Sequence, residues 1–303
     1  MSTDTLSPRA ALVCEHLSLH RQAGDNFWAQ AALWRNSLPV LRDIHFSLPE
    51  GAVLGLVGRN GAGKSSLIRC LLGLTPPSAG HSQLLGCPSL QLDDAARERL
   101  GYVAQTPDLF GWLNGHEHLR ELGAMYRHLD LERALVLAAR LALPLEVRAD
   151  RLSGGDQQKL ALVLAMAHDP DLLIMDEPVA SLDPLARRDF LRALFAERSP
   201  GRAQQPRTVL LSSHLLSDLE RVVSHVLFLA EGRVQLFDEW DALSEHLRLV
   251  RQPDAPGERA DLVHARVVEG QWQLLLDRRR CPDGLAEQGR ALSMDDLFEE
   301  LNA

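Results

Sequence analysis

Short, nearly unbroken apolar runs recur along the chain: residues 52–57 (AVLGLV), 100–103 (LGYV), 172–175 (LLIM), 208–211 (TVLL) and 226–229 (VLFL). Runs of this length without alternation predict strands buried on both faces, as in a parallel sheet. Residues 11–19 and 40–48 also read as strands, the second alternating apolar with polar positions as a half-buried strand does. Helical periodicity is expected over 66–72, from 115 to about 143 where Pro144 closes it, over 160–168 and 185–198, and over 294–301. Breaks fall at 75–80 (TPPSAG), Thr106-Pro107, 199–206 and the linker-like 252–257 (QPDAPG). Glu231-Gly232 and Glu269-Gly270 each sit between apolar runs and predict two hairpins, 226–237 and 264–276. Strands alternating with helices predict an α/β fold. No internal repeat or low-complexity tract interrupts this pattern.

The first candidate chemistry lies between the run 52–57 and the helix that follows. Gly58, Arg59, Asn60, Gly61, Ala62, Gly63, Lys64 and Ser65 fit G-x-x-x-x-G-K-[ST], with a strand before and a helix after. Glycines let successive N–H groups turn inward on an anion, and the helix N-terminus adds partial positive charge. Lys64 supplies a point charge for outer phosphates, and the Ser65 hydroxyl is a Mg²⁺ ligand candidate. Lys64 and Lys159 are the only lysines in a chain whose other basic side chains are arginine. A compact ammonium is therefore retained where a planar guanidinium is no substitute.

Composition narrows the function. With 303 residues there is enough chain for one large domain and an appendage. A net charge of -9 disfavours nucleic-acid binding through bulk charge. Cys14, Cys70, Cys87 and Cys281 show no metal or disulfide spacing, and Cys70 is expected as a packed thiol. Residues 1–9 lack a signal-peptide pattern and no apolar run is long enough to span a bilayer, so the expectation is a cytoplasmic protein whose membrane role comes through a partner.

Further candidates lie downstream. The strand 172–175 ends in Asp176-Glu177, where the first carboxylate can hold Mg²⁺ or its waters and the second can take a proton from an attacking water. His214 follows the strand 208–211 on the edge where parallel sheets place ligands. Leu152, Ser153, Gly154, Gly155 and Asp156 precede a helix and form a second, weaker anion site. The stretch 22–39 carries Phe27, Trp28 and Trp34; either its rings pack on the domain edge or one stacks on a nucleotide base. Leu109, Phe110 and Trp112 are read equally as core or as a partner surface. Arg278, Arg279 and Arg280 read as a solvated turn, with a lipid-headgroup or partner contact as the minority alternative.

In order, GRNGAGKSS, Gln105, LSGGD, LLIMDEP, SLD and SSH resemble the ATP-binding cassette (ABC) ATPases over roughly residues 11–237. The resemblance implies a P-loop NTPase core of ABC type with an antiparallel β subdomain and a helical insertion at about 106–165, all within 1–241. Residues 242–303 would form a small C-terminal α+β extension. It makes Gly58 to Ser66 the Walker A loop, Gln105 the Q-loop glutamine, and Leu152 to Asp156 the signature motif facing a partner's ATP. Asp176 becomes the Walker B aspartate, Glu177 the catalytic base, Ser181, Leu182 and Asp183 the D-loop, and His214 the switch histidine. It also implies ATP as substrate, Mg²⁺ held by Ser65, Gln105 and Asp176, and Lys64 acting with Glu177 and His214. Among the aromatics, counting back from Val40-Leu41 favours Trp34 as the adenine-stacking ring, with Trp28 in reserve.

Two departures stand out: LSGGD replaces the commoner LSGGQ, and the loop 22–39 is enlarged. The tail from Ser293 to Leu301 resembles, more weakly, the C-terminal part of cassette subunits serving bacterial multidrug-type exporters. The expected function is an ATP-hydrolysing transporter subunit, an exporter by preference. It would pair with a second copy or another cassette and sit on the inner membrane face through integral membrane permease subunits, with no nucleic-acid partner. The alternative is a soluble cassette ATPase acting on DNA or ribosomes.

Overall fold

In the computed structural model, residues 9–21, 38–195, 206–214, 216–281 and 284–302 are described. β1 (Ala10–Arg21) and β2 (Leu38–Pro49) pair antiparallel, and β3 (Val53–Val57) leads into the helix Lys64–Leu71. β4 (Ala79–Leu84) returns beside β1 and carries the short β5 (Cys87–Pro88), giving an antiparallel sheet in the order β2-β1-β4-β5. The remaining apolar runs form β6 (Leu100–Val103), β7 (Leu172–Met175), β8 (Thr208–Ser213) and β9 (His225–Ala230), with β10 (Arg233–Glu239) turning back antiparallel. Their sheet has six strands in the order β10-β9-β3-β8-β7-β6, parallel except for β10. Every residue of β7 and β8 is buried, as continuous apolar runs require when both faces are covered.

One core lies between the two large sheets, where Leu12, Ile44, Leu54, Ile68, Ile174 and Leu210 pack together. The other side of the six-stranded sheet packs against helices Gly115–Gly123, Leu131–Arg140, Gly154–Met166 and Pro184–Leu194 through Leu119, Leu137, Leu160 and Phe190. The first of these starts at a reciprocal cap: Asn114 Oδ1 accepts from Glu117 N (2.9 Å), and Asn114 N donates to Glu117 (2.8 Å). β11 (Leu247–Gln252), β12 (Leu262–Val268) and β13 (Gln271–Asp277) make a third sheet, order β11-β13-β12. Leu243, Leu247, Leu249, Leu275, Met294 and Leu297 of this region belong to the same buried cluster as Phe190 and Phe228.

Several local expectations shift. The helix after the phosphate loop begins at Lys64, two residues earlier than the pattern indicates. The helix expected from Leu160 begins at Gly154, so Ser153 is its N-cap and Gly154, Gly155 and Asp156 form its first turn. The helix expected to run over 185–198 spans Pro184–Leu194. β4 starts within the stretch read only as a break, and β11 was not expected: it alternates weakly and becomes a strand by pairing with β13.

Candidate active site

The carboxyl ends of β3, β6, β7 and β8 meet on one edge of the six-stranded sheet, where open α/β sheets bind ligands. A cleft of about 850 Å³ opens there, lined by Asn60, Gly61, Gly63, Lys64, Ser65, Ser66, Gln105, Glu177 and His214 among others. The loop's shape follows from its glycines. Gly63 sits at φ 109, and a Cβ there would lie 2.9 Å from Leu41 Cδ2 and 3.2 Å from Val40 O. Gly58 and Ala62 do not line the cleft; a Cβ on Gly58 would collide with the Leu229 carbonyl. Arg59 faces a neighbouring cavity of about 520 Å³ on the outer side of the loop.

Lys64 is 6% exposed and its Nζ donates to Gly58 O (2.7 Å) and lies 3.3 Å from Glu177 Oε1. Glu177 is 9% exposed; its other oxygen, Oε2, accepts from His214 Nδ1 at 2.8 Å. The carboxylate is thus clamped between an ammonium and an imidazole at the strand end. Its backbone is left-handed, φ 46, a conformation that only a surrounding network holds for such a residue. That network includes Ser212, fully buried on β8: Oγ accepts from Glu177 N (2.8 Å) and donates to Asp176 Oδ1 (2.6 Å). Asp176 lies beneath the cleft, 4% exposed.

The signature-like residues lie elsewhere. None of Leu152, Ser153, Gly154, Gly155 or Asp156 is among the described residues lining the cleft. Ser153 is exposed; its Oγ accepts from Asp156 N (3.1 Å) and donates to Asp156 Oδ2 (2.7 Å), while Lys159 Nζ pairs with Asp156 Oδ1 at 3.0 Å. The charge brought by LSGGD is therefore compensated locally by the chain's second lysine. Gly155 abuts the turn that follows β7: a Cβ on it would lie 3.2 Å from Leu182 Cδ2 and 3.5 Å from Ser181 O. Asp183 caps the next helix, accepting from Leu185 N (2.9 Å) and Ala186 N (3.0 Å), and these N–H donors hold its carboxyl below the usual range. Gln158, 2% exposed, donates to Ala104 O (3.1 Å) and so ties the signature helix to the residue before Gln105.

The chain as a whole is similar to known proteins. Residues 41–180 fit the family model described as ABC transporter. The Nod factor export ATP-binding protein I of Bradyrhizobium diazoefficiens is 34% identical over 261 residues, covering 82% of this chain and 83% of that one. The chain belongs to the ABC transporter family. The nickel import ATP-binding protein NikO of Rhodobacter capsulatus is 36% identical over 213 residues, 65% of this chain and 82% of NikO. A solved ATP-binding subunit of an ABC transporter superposes with a TM-score of 0.63 at 29% identity, covering 78% of this chain and 92% of that one.

As an ABC ATPase subunit of a transporter, the chain binds and hydrolyses ATP. Among the described residues no helix is long and apolar enough to cross a membrane. Trp34 and its reserve Trp28 lie outside the described residues. Of the three residues with two equal readings, Leu109 packs against the core, while Phe110 and Trp112 are 44% and 64% exposed with ring centroids 5.2 Å apart. Arg279 does more than face solvent: it reaches Asp277 (3.0 Å) and Asp238 on β10 (3.3 Å), tying the third sheet to the second. Sequence reading included Ser212 only as the first residue of SSH and gave it no role, since its contacts with Asp176 and Glu177 exist only once β8 is laid beside β7.

Proposed function

We propose that this chain is the motor subunit of an exporter, hydrolysing ATP between two copies that close and reopen beneath a membrane-embedded partner. The observation that carries this is a cleft with a complete hydrolytic end, Lys64, Glu177 and His214, whose described lining contains no signature residue. The exposed Ser153 at the tip of a separate helix is then the group that a second copy brings to the bound triphosphate. Export is favoured by the Nod factor export relative, which covers more of the chain than the nickel import protein does. Residues 242–303 form an accessory region built onto the cassette. Phe110 and Trp112 are the apolar surface offered to the membrane partner, which would hold the chain at the inner face of the membrane.

In the chemistry we infer, the loop N–H groups and Lys64 take the β- and γ-phosphates. The Lys64–Glu177 pair, 3.3 Å apart, is then partly released as the ammonium turns to phosphate. Glu177 becomes free to accept a proton from the attacking water, and His214 holds that carboxylate and faces the γ-phosphate. The donors Ser65, Gln105 and Asp176 are oxygens, with no group of three or more His, Cys, Asp or Glu among the described residues that would cage an ion. That set suits Mg²⁺, which keeps waters and is held by one or two protein oxygens together with substrate phosphates. Bound there, the ion would neutralise charge on the phosphates.

Glu177→Gln should lower phosphate release by at least ~10²-fold, the size of a general-base contribution. With ATP and Mg²⁺ it should elute as a dimer in size-exclusion chromatography, and Glu177→Gln/Ser153→Ala should not. A Glu177→Gln protein that stays monomeric with ATP, or hydrolyses it at the unmutated rate, overturns the proposal.

A further inference from the structure

His214 stands between two unequal supports. Before it, Ser213 ends β8, buried and paired with Val57 of β3. Two residues after it the short helix Leu216–Leu219 begins. Four residues make about one turn, too little to hold itself, so packing sets its place. Leu216 and Leu219 are both buried. On the side of the sheet, β3 leaves room at Gly55: a Cβ there would lie 3.4 Å from Leu219 Cδ1 and 3.1 Å from Val223 Cγ1. The helix Met294–Leu301 packs against this short helix and against β9, the neighbour of β3. Met294 and Leu297, three residues apart and so on one face, belong to the same buried cluster as Leu216 and Leu219.

That C-terminal helix is held at both ends by the third sheet. At its start Ser293 Oγ accepts from Asp296 N (3.2 Å) and Ser293 N donates to Asp296 Oδ2 (3.0 Å). Arg290 Nη2 donates to Asp296 Oδ1 (2.8 Å), and the Arg290 main chain pairs with Leu249 of β11. Near its end the buried Glu300 takes Arg266 of β12 in a two-pronged pair, Nε to Oε2 (2.9 Å) and Nη2 to Oε1 (2.6 Å), and also accepts from Gln273 of β13. The third sheet thus fixes a rigid apolar face beside the turn that follows His214.

We infer that Leu297 is a positioning residue for hydrolysis: by filling the space beside Leu216–Leu219 it fixes the main chain from which His214 reaches Glu177. His214 Nδ1 meets Glu177 Oε2 at 2.8 Å, yet the ring is half exposed, so a shift in its main chain carries it along. A displacement of about 1 Å in a reacting group costs on the order of 10²-fold. This rests on the reading that His214 takes part in hydrolysis, which His214→Ala tests by itself.

Phosphate release by the full chain is measured against ATP concentration with Mg²⁺ in excess, on variants that circular dichroism shows to be folded. Leu297→Ala should lower kcat by about ten-fold to a hundred-fold and leave KM within about two-fold, since the lost contact bears on the reacting end alone. Leu297→Met, which keeps the volume, should restore kcat. Adding Leu297→Ala to His214→Ala should lower kcat by less than about two-fold further, because two changes acting through one group do not add. If Leu297→Ala does not fold, Leu297→Val takes its place and should show a smaller loss of the same kind. The inference is overturned if the Leu297 variant keeps the unmutated kcat, or if it lowers kcat as much in the His214→Ala chain as in the unmutated one. It is also overturned if KM rises as kcat falls, which would place the effect on the phosphate loop, whose outer cavity Leu301 and Asn302 line. A His214→Ala protein with unmutated kcat sinks the reading of His214 and this inference with it; a slow His214→Ala beside a normal Leu297→Ala sinks this inference alone.

Discussion

Replacing Ser212 by alanine removes one hydroxyl that serves two groups. Glu177 N–H loses its acceptor at 2.8 Å, and Asp176 loses a donor at 2.6 Å, both in a site where Ser212 is fully buried. An orphaned buried N–H costs about 1–3 kcal/mol and a lost hydrogen bond to a charged group about 1.5–3 kcal/mol. The two share one oxygen and do not add in full, so the expected destabilisation is roughly 3 kcal/mol. In denaturant unfolding the midpoint should fall with the slope unchanged. Activity should fall further than stability explains. The left-handed Glu177, φ 46, is held by this contact and by its clamp, and displacement of a reacting group by about 1 Å costs on the order of 10²-fold. Phosphate release, measured where the variant is still folded, should therefore drop in kcat. Ser212→Thr separates the effects: it keeps the hydroxyl and adds a methyl to a packed site, so kcat should largely survive while stability falls by about 1–3 kcal/mol. A Ser212→Ala protein with unmutated midpoint and kcat, or a Ser212→Thr protein as inactive as the alanine variant, would falsify the bridging role.

Two further outcomes are expected. Burial pushes the Cys14 thiol up to about 12 and the Cys70 thiol up to about 11, so neither forms the reactive thiolate near neutral pH. Iodoacetamide at pH 8 followed by mass spectrometry of the native chain should label only the half-buried Cys87 and Cys281, and early labelling of Cys14 or Cys70 would contradict their packing. Cysteine-directed cross-linkers placed at Phe110 and Trp112 should capture the membrane subunit, whereas the same reagent at Leu109 should not, because that side chain packs inward; capture only through the Arg278–Arg280 face would move the docking surface to the third sheet.

The sequence by itself determined the features that local chemistry specifies. Gly58 to Ser65 spell a loop whose strand and helix are its immediate neighbours in the chain, so backbone freedom, cap and charge are all contiguous. The run 172–175 could be read as a buried strand because its pattern has no polar face, and Asp176-Glu177 then fell at its end. His214 was legible by the same logic just past the end of β8. Only the tertiary structure decided what crosses between distant segments. Register places Met175 beside Leu211, and from that pairing alone Ser212 comes to bridge Asp176 and Glu177. Register also lets Arg42 and Asp43 share one partner residue, turning into the cleft a side chain that alternation would treat as an ordinary exposed position. β11 became a strand through β13, some 25 residues on, and Lys159 became the counter-charge of Asp156 once the helix was seen to start at Gly154. The reason is common to these cases: strand pairing is a long-range choice in which a one-residue slip changes every neighbour, and no local pattern encodes it.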